Sequence, residues 1–502
     1  MAEIRIDTDR ETGKRSDMIY GHFLEHFHRQ VYGGLYDPNN ALSDDEGMRE
    51  DVIEAMRRIK VPILRWPGGC FASAYHWKYG VGRKRQTVFD KAWRVEEPNL
   101  FGTDEYISLC RKVGCKPYIC TNAGTGSAEE MSDWVEYCNL ASEGKYAGWR
   151  IENGNPDSFD VKYWSIGNEN YGSWEIGAKR AEEWPSLVKE SAKMMKHVDP
   201  TIELSAAAIT DVDWTLNLIR ACAPFLDWIS IHEYWDMMAE EHKPASYDVC
   251  IKYCEDVGHS VRKIRGILET LGLEKQIKVA FDEWNLRSWH HPNVLTVKQG
   301  ITKEEYILPR DKNDDNSTYT MADAVFAACF LNEMNRNCDL VGMANFSPIV
   351  NTTGCIYSYP DGIVLRSTYY VFELYVRHLG DIVLNSWTKD NEEAGICCAD
   401  KKAETGAIDA IATKFSGSDG IAIAAVNKSK TEHIKIDINI TNKNEKTESR
   451  SVLLNYLNGP SADSYNDVGR TEIEIKQKSF GIFKNGMSIT LEPHSVNIIE
   501  IR

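Results

Sequence analysis

Two short segments of the chain end in glutamates whose placement suits acid–base chemistry. The stretch KYWSIGNEN, residues 162–170, is an apolar run that ends abruptly in the polar residues around Glu169. A second stretch of the same kind, IKVAFDEWN at 277–285, carries Glu283 near its end. A buried strand that delivers a carboxylate to its own C-terminal end has this pattern. Because one protonated and one ionised carboxyl can together cleave a glycosidic bond, we expect Glu169 and Glu283 to face each other across a sugar.

The division of labour between the two glutamates depends on their surroundings. Arg65, at the end of an earlier apolar stretch, is the candidate for keeping Glu283 ionised. The charge of Glu283 would then raise the pKa of Glu169 toward ~6–7, which suits a general acid. Retention needs the carboxyls ~5–5.5 Å apart and inversion ~6.5–9.5 Å, and sequence spacing leaves both open. The alternative is structural: strand-end amides would bind Glu169, and Glu283 would form an ion pair with Arg65.

Eight apolar stretches alternate, for the most part, with segments of helical periodicity. Strands that are apolar throughout fit a covered parallel sheet, and eight βα units predict a (β/α)8 TIM barrel over residues 16–380. All C-terminal strand ends of such a barrel lie on one face, where catalytic residues collect. The predicted strands are 18–26, 61–69, 117–120, 163–169, 202–209, 225–232, 277–283 and 340–346, and the helices include 184–198 and a long one at 247–271.

After about residue 380 the hydrophobic pattern changes to a period of two. Segments such as GIAIAAV at 420–426 and HIKIDINI at 433–440 alternate apolar and polar residues, and Gly, Ser, Asn and Lys turns separate them. This pattern predicts an antiparallel, jelly-roll-like β-sandwich. We assign residues 381–502 to it, together with an N-terminal strand within residues 1–15.

Composition narrows the classes of partner. The 502 residues carry a formal net charge of −17, with 42% hydrophobic and 26% charged residues. A strongly acidic chain disfavours nucleic acid and anionic membranes as partners. The first residues lack a basic segment followed by an apolar one, so we expect no signal peptide and a cytoplasmic location. The 13 cysteines are odd in number and fit reduced, buried thiols, and their spacing predicts no metal site.

Several longer motifs resemble glycoside hydrolase family 51, the α-L-arabinofuranosidases, in the right order over nearly the whole chain. They are YGHFLEH at 20–26, YGGLY at 32–36, RWPGG at 65–69, YHWK at 75–78, GNEN at 167–170, DEWN at 282–285, MAN at 343–345 and LNGP at 457–460. The resemblance implies a retaining, double-displacement mechanism without a cofactor. It also implies arabinofuranose-containing oligosaccharides as substrates and a homo-oligomer, often a hexamer.

The resemblance also implies a role for each matched residue. Glu169 matches the acid/base and Glu283 the nucleophile, while Arg65 matches the arginine that orients the nucleophile. The positions that bind the furanose or help to orient the nucleophile are Glu25, Asn168 and Tyr234.

Two positions depart from the pattern that many members share. Cys70 stands where many have Asn, and Pro348 where many have Gln, so the sugar held in the pocket stays open. We expect Cys70 to line the pocket as a polar contact or a space filler. Trp93 and Trp289 are the aromatic residues expected to stack on sugar, and the polar stretch 297–316 is expected at the mouth of the site or in a subunit contact.

Two other functions remain possible at this level. One is a different retaining glycosidase on the same scaffold, such as a galactofuranosidase, a xylosidase or a β-glycanase. The other is a non-catalytic sugar-binding protein, which paired carboxylates disfavour because a binder does not need them. An exo-acting α-L-arabinofuranosidase is the reading that the motifs favour.

Overall fold

The computed structural model of the chain describes residues 2–238, 243–288, 314–390, 397–398, 401–402, 406–441 and 450–502. Trp289 lies outside these residues. So do residues 297–313 of the polar stretch 297–316 that was expected at the mouth of the site. Among the described residues, no helix has the length and apolar character needed to cross a membrane.

Eight parallel strands form the predicted barrel. Each neighbours the next in chain order, the eighth pairs with the first, and a bridge between Ala207 and Ser230 joins the fifth to the sixth. The strands are Gly21–Phe23, Ile63–Trp66, Lys116–Thr121, Tyr163–Ile166, Glu203–Ala206, Trp228–Met237, Lys278–Ser288 and Val341–Phe346. All eight predicted strands are therefore present, and their C-terminal ends share one face.

Helices follow most of the strands and cover the barrel. They are Glu50–Arg58, Thr103–Val113, Ala128–Asn139, Lys145–Glu152, Trp184–Val198, Val212–Cys222, Tyr247–Lys252, Asp256–Leu271, Met321–Arg336 and Ser367–His378. The long helix expected at 247–271 is wrong in one respect, because a 3-10 turn at Tyr253–Glu255 divides it. The helix Ser367–His378 was not predicted, and it buries Val371, Phe372 and Leu374.

Beside the barrel lies a largely antiparallel sheet of nine strands, which corresponds to the predicted sandwich. In spatial order they are Glu474–Ile482, Ser451–Asn458, Ser495–Ile501, Ile421–Asn427, Ile408–Lys414, Ile382–Asp390, Ala2–Lys14, Ile434–Thr441 and Met487–Leu491. The N-terminal strand runs antiparallel to Ile382–Asp390 and parallel to Ile434–Thr441. The division of the chain into 16–380 and the remainder stays a prediction.

Alternation along the strands gives this sheet two apolar faces. Ile423 and Ile499 belong to a core within the curled sheet. Their neighbours Ala424 and Ile498 belong instead to the large barrel core, which includes Phe372. Successive side chains of a strand point to opposite faces of the sheet. One face therefore packs on itself within the curled sheet, and the other face packs on the barrel helices. This packing fixes the side of the barrel that lies next to the sandwich.

Candidate active site

Glu169 follows the fourth barrel strand in an unusual backbone conformation. Its φ is 43°, and Gly167 two residues earlier has a φ of 74°. A Cβ atom on Gly167 would lie 2.0 Å from the Asn170 side chain, so only glycine fits there. A non-glycine residue at positive φ is strained, and such strain is found most often where function fixes a side chain. The turn directs the Glu169 side chain into the open end of the barrel.

Glu283 lies on the seventh strand, where the pairing register shifts. The shift occurs between Ala280 and Glu283 against the sixth strand, and between Phe281 and Trp284 against the eighth. Regular alternation would send adjacent residues to opposite faces, whereas a bulge re-aims them. Asp282 and Glu283 consequently both reach groups of the barrel interior, since both approach Arg65.

Two residues hold the carboxylate of Glu283 from opposite sides. Arg65 Nη1 donates to Oε2 at 2.8 Å, and the Tyr234 hydroxyl donates to Oε1 at 2.7 Å. The other end of the Arg65 guanidinium donates to Asn168 Oδ1 at 2.7 Å. Arg65 is fully buried. A planar guanidinium held at both ends restricts the orientation of the Glu283 carboxylate, and the orienting role of Arg65 in catalysis stays a prediction.

Glu169 accepts hydrogen bonds from two aromatic side chains and contacts a histidine. Trp174 Nε1 donates to Oε2 at 2.8 Å, and Tyr171 OH lies 3.4 Å from Oε1. His232 Nδ1 lies 3.0 Å from the same Oε1. Oxygens of Glu169 and Glu283 come within 4.8 Å of each other. The structure therefore brings together the two carboxyl groups that the sequence singles out.

His232 lies between the two glutamates and faces acceptors on both ring nitrogens. Nδ1 is 3.0 Å from Glu169 and 3.5 Å from Glu283. Nε2 is 3.1 Å from Ser230 Oγ, which itself donates to Asp282 at 2.7 Å. Because acceptors surround both nitrogens, the geometry favours the doubly protonated imidazolium. Burial lowers the pKa of His232, but the charge of Glu283 and the hydrogen bonds to Asp282 and Glu169 outweigh burial and raise it to about 10.

The imidazolium reverses the pKa shift expected for Glu169. Burial raises the pKa of Glu169, yet the hydrogen bond and charge of His232, the Trp174 donor and the charge of Arg65 together leave it below its usual value. The expectation of a raised pKa was wrong because it counted the charge of Glu283 and omitted that of His232. The imidazolium form of His232 and the ionised form of Glu169 are therefore favoured together.

A cavity of about 220 Å³ opens beside the two carboxyl groups. Of the predicted sugar-binding residues, Glu25, Cys70, Trp93 and Tyr234 line it, and so does Pro348. Trp93 Nε1 donates to Glu25 Oε1 at 2.9 Å. Asn168 is buried behind this surface, where Arg65 and Glu175 hold its amide. The two positions that depart from the common pattern thus both form part of the cavity wall.

Two further glutamates around the cavity favour the neutral form. Burial and the charge of Glu283 raise the pKa of Glu25 to about 8. Burial and the charge of Glu169 raise the pKa of Glu175 to about 8. Glu175 accepts from Asn168 Nδ2 at 3.0 Å and from Ser73 Oγ at 2.6 Å. A neutral Glu175 can support Asn168 without adding a third negative charge to the site.

Sequence reasoning did not assign His232, Glu175 or Trp174 to the site. His232 shares a strand face with Tyr234, and alternation from that tyrosine could have found it. Glu175 and Trp174 lie in the turn after Glu169, where no periodicity predicts the direction of a side chain. Trp174 is 39% exposed at the cavity.

Within the described part of the chain, two triads of side chains bring potential metal-ligand atoms within 4.8 Å of one another. They are Cys70, Glu169 and Glu175, and Glu169, His232 and Glu283. Burial and the nearby charges of Glu175 and Glu25 raise the pKa of the Cys70 thiol well above its usual value. A neutral thiol, a neutral Glu175 and an imidazolium would each have to lose a proton to bind a metal ion. The absence of a metal remains a prediction from the sequence.

Comparisons with known proteins agree with the fold. Residues 55–250 match a model described as the alpha-L-arabinofuranosidase 1 domain, and residues 282–495 one described as the alpha-L-arabinofuranosidase C-terminal domain. A probable alpha-L-arabinofuranosidase C of Aspergillus clavatus is 30% identical over 95% of this chain and 93% of its own. An intracellular exo-alpha-(1->5)-L-arabinofuranosidase of Acetivibrio thermocellus is 28% identical over 100% and 99%.

The solved structures agree as well. The arabinose complex of the alpha-L-arabinofuranosidase from Thermotoga maritima is 32% identical, with a TM-score of 0.86 over 100% of this chain and 99% of that one. Identity at this level along the whole chain supports an enzyme over a sugar-binding protein without catalytic activity. The chain is therefore a member of glycoside hydrolase family 51, the α-L-arabinofuranosidases.

Proposed function

We propose that this chain is a retaining, exo-acting enzyme that removes terminal non-reducing α-L-arabinofuranosyl residues from arabinoxylan or arabinan oligosaccharides. The observation that carries the proposal is the approach of the Glu169 and Glu283 oxygens to within 4.8 Å. Retaining glycosidases hold their carboxyl groups ~5–5.5 Å apart, whereas inverting enzymes need ~6.5–9.5 Å to admit a water molecule. The short separation supports double displacement.

In the first step Glu283 attacks the anomeric carbon while the bond to the leaving oxygen breaks. Arg65 and Tyr234 each hold one oxygen of the Glu283 carboxylate, so it meets the sugar in one orientation. Glu169 protonates the leaving oxygen. The leaving group therefore departs as an alcohol and not as an alkoxide. The products are a glycosyl ester on Glu283 and the shortened oligosaccharide.

The proton for this step comes from the Glu169–His232 pair. His232 Nδ1 lies 3.0 Å from Glu169 Oε1, close enough for direct transfer. Formation of the ester removes the negative charge of Glu283, which lies 3.5 Å from the same nitrogen and favours the imidazolium. As that charge is lost, a proton on His232 becomes less favourable and passes through Glu169 to the leaving group.

In the second step water replaces the leaving group. Glu169, now ionised, removes a proton from water as it attacks the anomeric carbon and releases Glu283. The proton returns to the Glu169–His232 pair, and the site regains its starting charge. Attack from both faces in turn gives overall retention of anomeric configuration.

The shape of the cavity supports removal of a single terminal sugar. Its volume of about 220 Å³ is below the ~300–1,000 Å³ that is usual for ligand pockets. Glu25, Trp93 and Pro348 form part of its wall. The name of the Acetivibrio thermocellus relative, an intracellular exo-acting enzyme on α-(1→5) linkages, agrees with exo action and with a cytoplasmic location.

Aryl glycosides with the variants Glu169→Ala and Glu283→Ala test this assignment. Glu283→Ala is expected to abolish turnover on every substrate. Glu169→Ala should retain turnover of aryl α-L-arabinofuranosides with good leaving groups, and azide should accelerate it by forming a glycosyl azide of retained configuration. The matched control is Glu233→Ala, since Glu233 on the sixth strand accepts a hydrogen bond from Ser260 and does not line the cavity. Inverted product, or wild type inactive on α-L-arabinofuranosides, would refute the proposal.

Two accompanying properties are proposed on the basis of the family resemblance. The enzyme needs no cofactor or metal, so dialysis against EDTA should leave kcat unchanged. It forms a homo-oligomer, with a hexamer as the expected form, and light scattering after size-exclusion chromatography measures its mass directly.

A further inference from the structure

A second cavity, of about 460 Å³, lies beside the catalytic one on the same face of the barrel. It is formed by the segment after the second strand, by the hairpin of Val88–Asp90 and Val95–Glu97, and by Thr125 after the third strand. Besides Thr125, the lining residues used below are Phe71, His76, Tyr79, Phe89, Asp90 and Lys91. None of them belongs to the machinery assigned above.

The two cavities share a wall at two places in the chain. Cys70 lines the catalytic cavity, and the next residue, Phe71, lines the second one. In the hairpin, Ala92 lines the catalytic cavity and the preceding Lys91 lines the second. The hairpin that carries Trp93 to the sugar site therefore also shapes the second cavity.

Contact between two loops makes a third connection. Ile176 lines the catalytic cavity, and its carbonyl packs against Gly124, directly before Thr125 of the second cavity. Three independent points of adjacency place the second cavity next to the catalytic one. A sugar chain that extends out of the catalytic cavity on this side reaches the second cavity first.

The surface of the second cavity suits a neutral, polyhydroxylated ligand. Phe89 is 63% exposed, and Tyr79 is half-buried beside it on the same lining. Exposed aromatic faces are the groups on which apolar faces of sugar rings pack. His76 lies 2.9 Å from Glu130 and Asp90 accepts from Trp93 N at 2.6 Å, so both are already paired, whereas Lys91 of the same lining is exposed to solvent. A charged ligand would gain little from the paired groups, and solvent screens the charge of Lys91.

We propose that the second cavity binds the leaving-group side of the oligosaccharide, the sugar residues beyond the bond that is cleaved. This proposal rests on the proposed exo-arabinofuranosidase function. The catalytic cavity holds the terminal furanose, while the second cavity holds residues of the main chain that Phe89 and Tyr79 face. It would make the enzyme discriminate between long substrates and aryl glycosides.

Phe89→Ala tests the proposal, with Trp387→Ala as matched control, because Trp387 is also an exposed aromatic (49%) but lies on the sandwich strand Ile382–Asp390. Loss of one aromatic–sugar contact is expected to cost about 2- to 10-fold, which converts to ~0.4–1.4 kcal/mol. We expect Phe89→Ala to lower kcat/KM for a linear arabinofuranosyl trisaccharide by that factor. For a nitrophenyl α-L-arabinofuranoside the change should be smaller than about 2-fold, and Trp387→Ala should alter neither substrate.

Equal losses on both substrates, or no loss on the trisaccharide, would overturn the second cavity as a subsite. Calorimetric binding of the trisaccharide to Glu283→Gln, with and without Phe89→Ala, gives a readout that does not need turnover. Weaker trisaccharide binding with unchanged binding of L-arabinose supports the subsite, and unchanged trisaccharide binding refutes it. An inactive wild type would refute the proposed function while this binding test still decides the subsite.

Discussion

His232 Nδ1 lies 3.0 Å from Oε1 of Glu169, so the proposed acid/base is in contact with a second group that can carry a proton. The same ring is 3.5 Å from Glu283 and 3.4 Å from Asp282. Three carboxylates thus surround one imidazole. Together with Arg65 they form a buried cluster in which His232 and Glu169 are the two groups that can exchange one proton.

The first prediction concerns the variant His232→Gln. Glutamine cannot carry the proton, so we expect kcat to fall by about 10- to 100-fold on substrates with poor leaving groups, less than the ~10²–10⁴-fold of complete loss of general acid catalysis because Glu169 remains. Aryl glycosides with good leaving groups should be less affected because they need little protonation. Steady-state kinetics across a series of leaving groups measures the difference.

The pH profile separates this role from a structural one. His232 has its pKa raised to about 10, so the wild-type pair keeps one proton until the pH passes that value. Without the imidazolium, Glu169 alone must hold the proton, and the alkaline limb of kcat/KM should move to lower pH. An unmoved alkaline limb would refute the role of His232 as proton carrier. His378→Gln is the control, because His378 pairs with Glu500 in the sandwich.

The second prediction concerns Arg65→Lys. Arg65 spans Glu283 and Asn168 with two different nitrogens, and the single ammonium of lysine cannot reproduce that geometry. Losing one hydrogen bond to a charged group costs ~1.5–3 kcal/mol, so kcat/KM should fall by about 10- to 100-fold on good and poor leaving groups alike. Equal losses distinguish it from His232→Gln, and activity near wild type would show that Arg65 does not orient the nucleophile.

The third prediction concerns stability and rests on Glu175. Its pKa is raised to about 8 from a usual value of 4.5. A raised folded-state pKa means stability that is fully present below about pH 4.5 and is lost as the pH rises to 8. Glu175→Gln carries no ionisable group there. Its free energy of unfolding should therefore increase relative to that of wild type as the pH rises from about 4.5 to 8. Urea unfolding at a series of pH values measures the gap, and a constant gap would contradict a neutral Glu175.

The sequence predicted the barrel well because its signals are local. Each strand is an apolar run such as Tyr163–Ile166, and each ends in polar residues that a barrel gathers on one face. The same logic paired Glu169 with Glu283 although they are distant in the chain. Fold and catalytic pair follow from periodicity and strand order, which one sequence contains.

The contacts within the site were less predictable because they depend on side-chain direction. The register shift that lets both Asp282 and Glu283 reach Arg65 leaves no mark in hydrophobic periodicity. The lowered pKa of Glu169 follows from the position of His232, a neighbour from a different strand. Glu175 enters the site through a turn, where alternation gives no direction. These features need coordinates.

The last prediction concerns Cys70, which stands where many relatives were expected to carry an amide. Its Sγ lies within 4.8 Å of oxygens of Glu169 and Glu175, on the wall of the catalytic cavity. Burial and the charges of Glu175 and Glu25 raise the pKa of this thiol, so little thiolate is present at neutral pH.

Inactivation by iodoacetamide should therefore be slow at neutral pH, accelerate as the pH rises, and be slowed by L-arabinose. Cys70→Ser should abolish this inactivation, whereas Cys115→Ser, which changes a half-buried thiol remote from the cavity, should leave it unchanged. We also expect Cys70→Ser to alter KM more than kcat, because the thiol borders the sugar and takes no part in bond cleavage. Inactivation that persists in Cys70→Ser would place the sensitive thiol elsewhere.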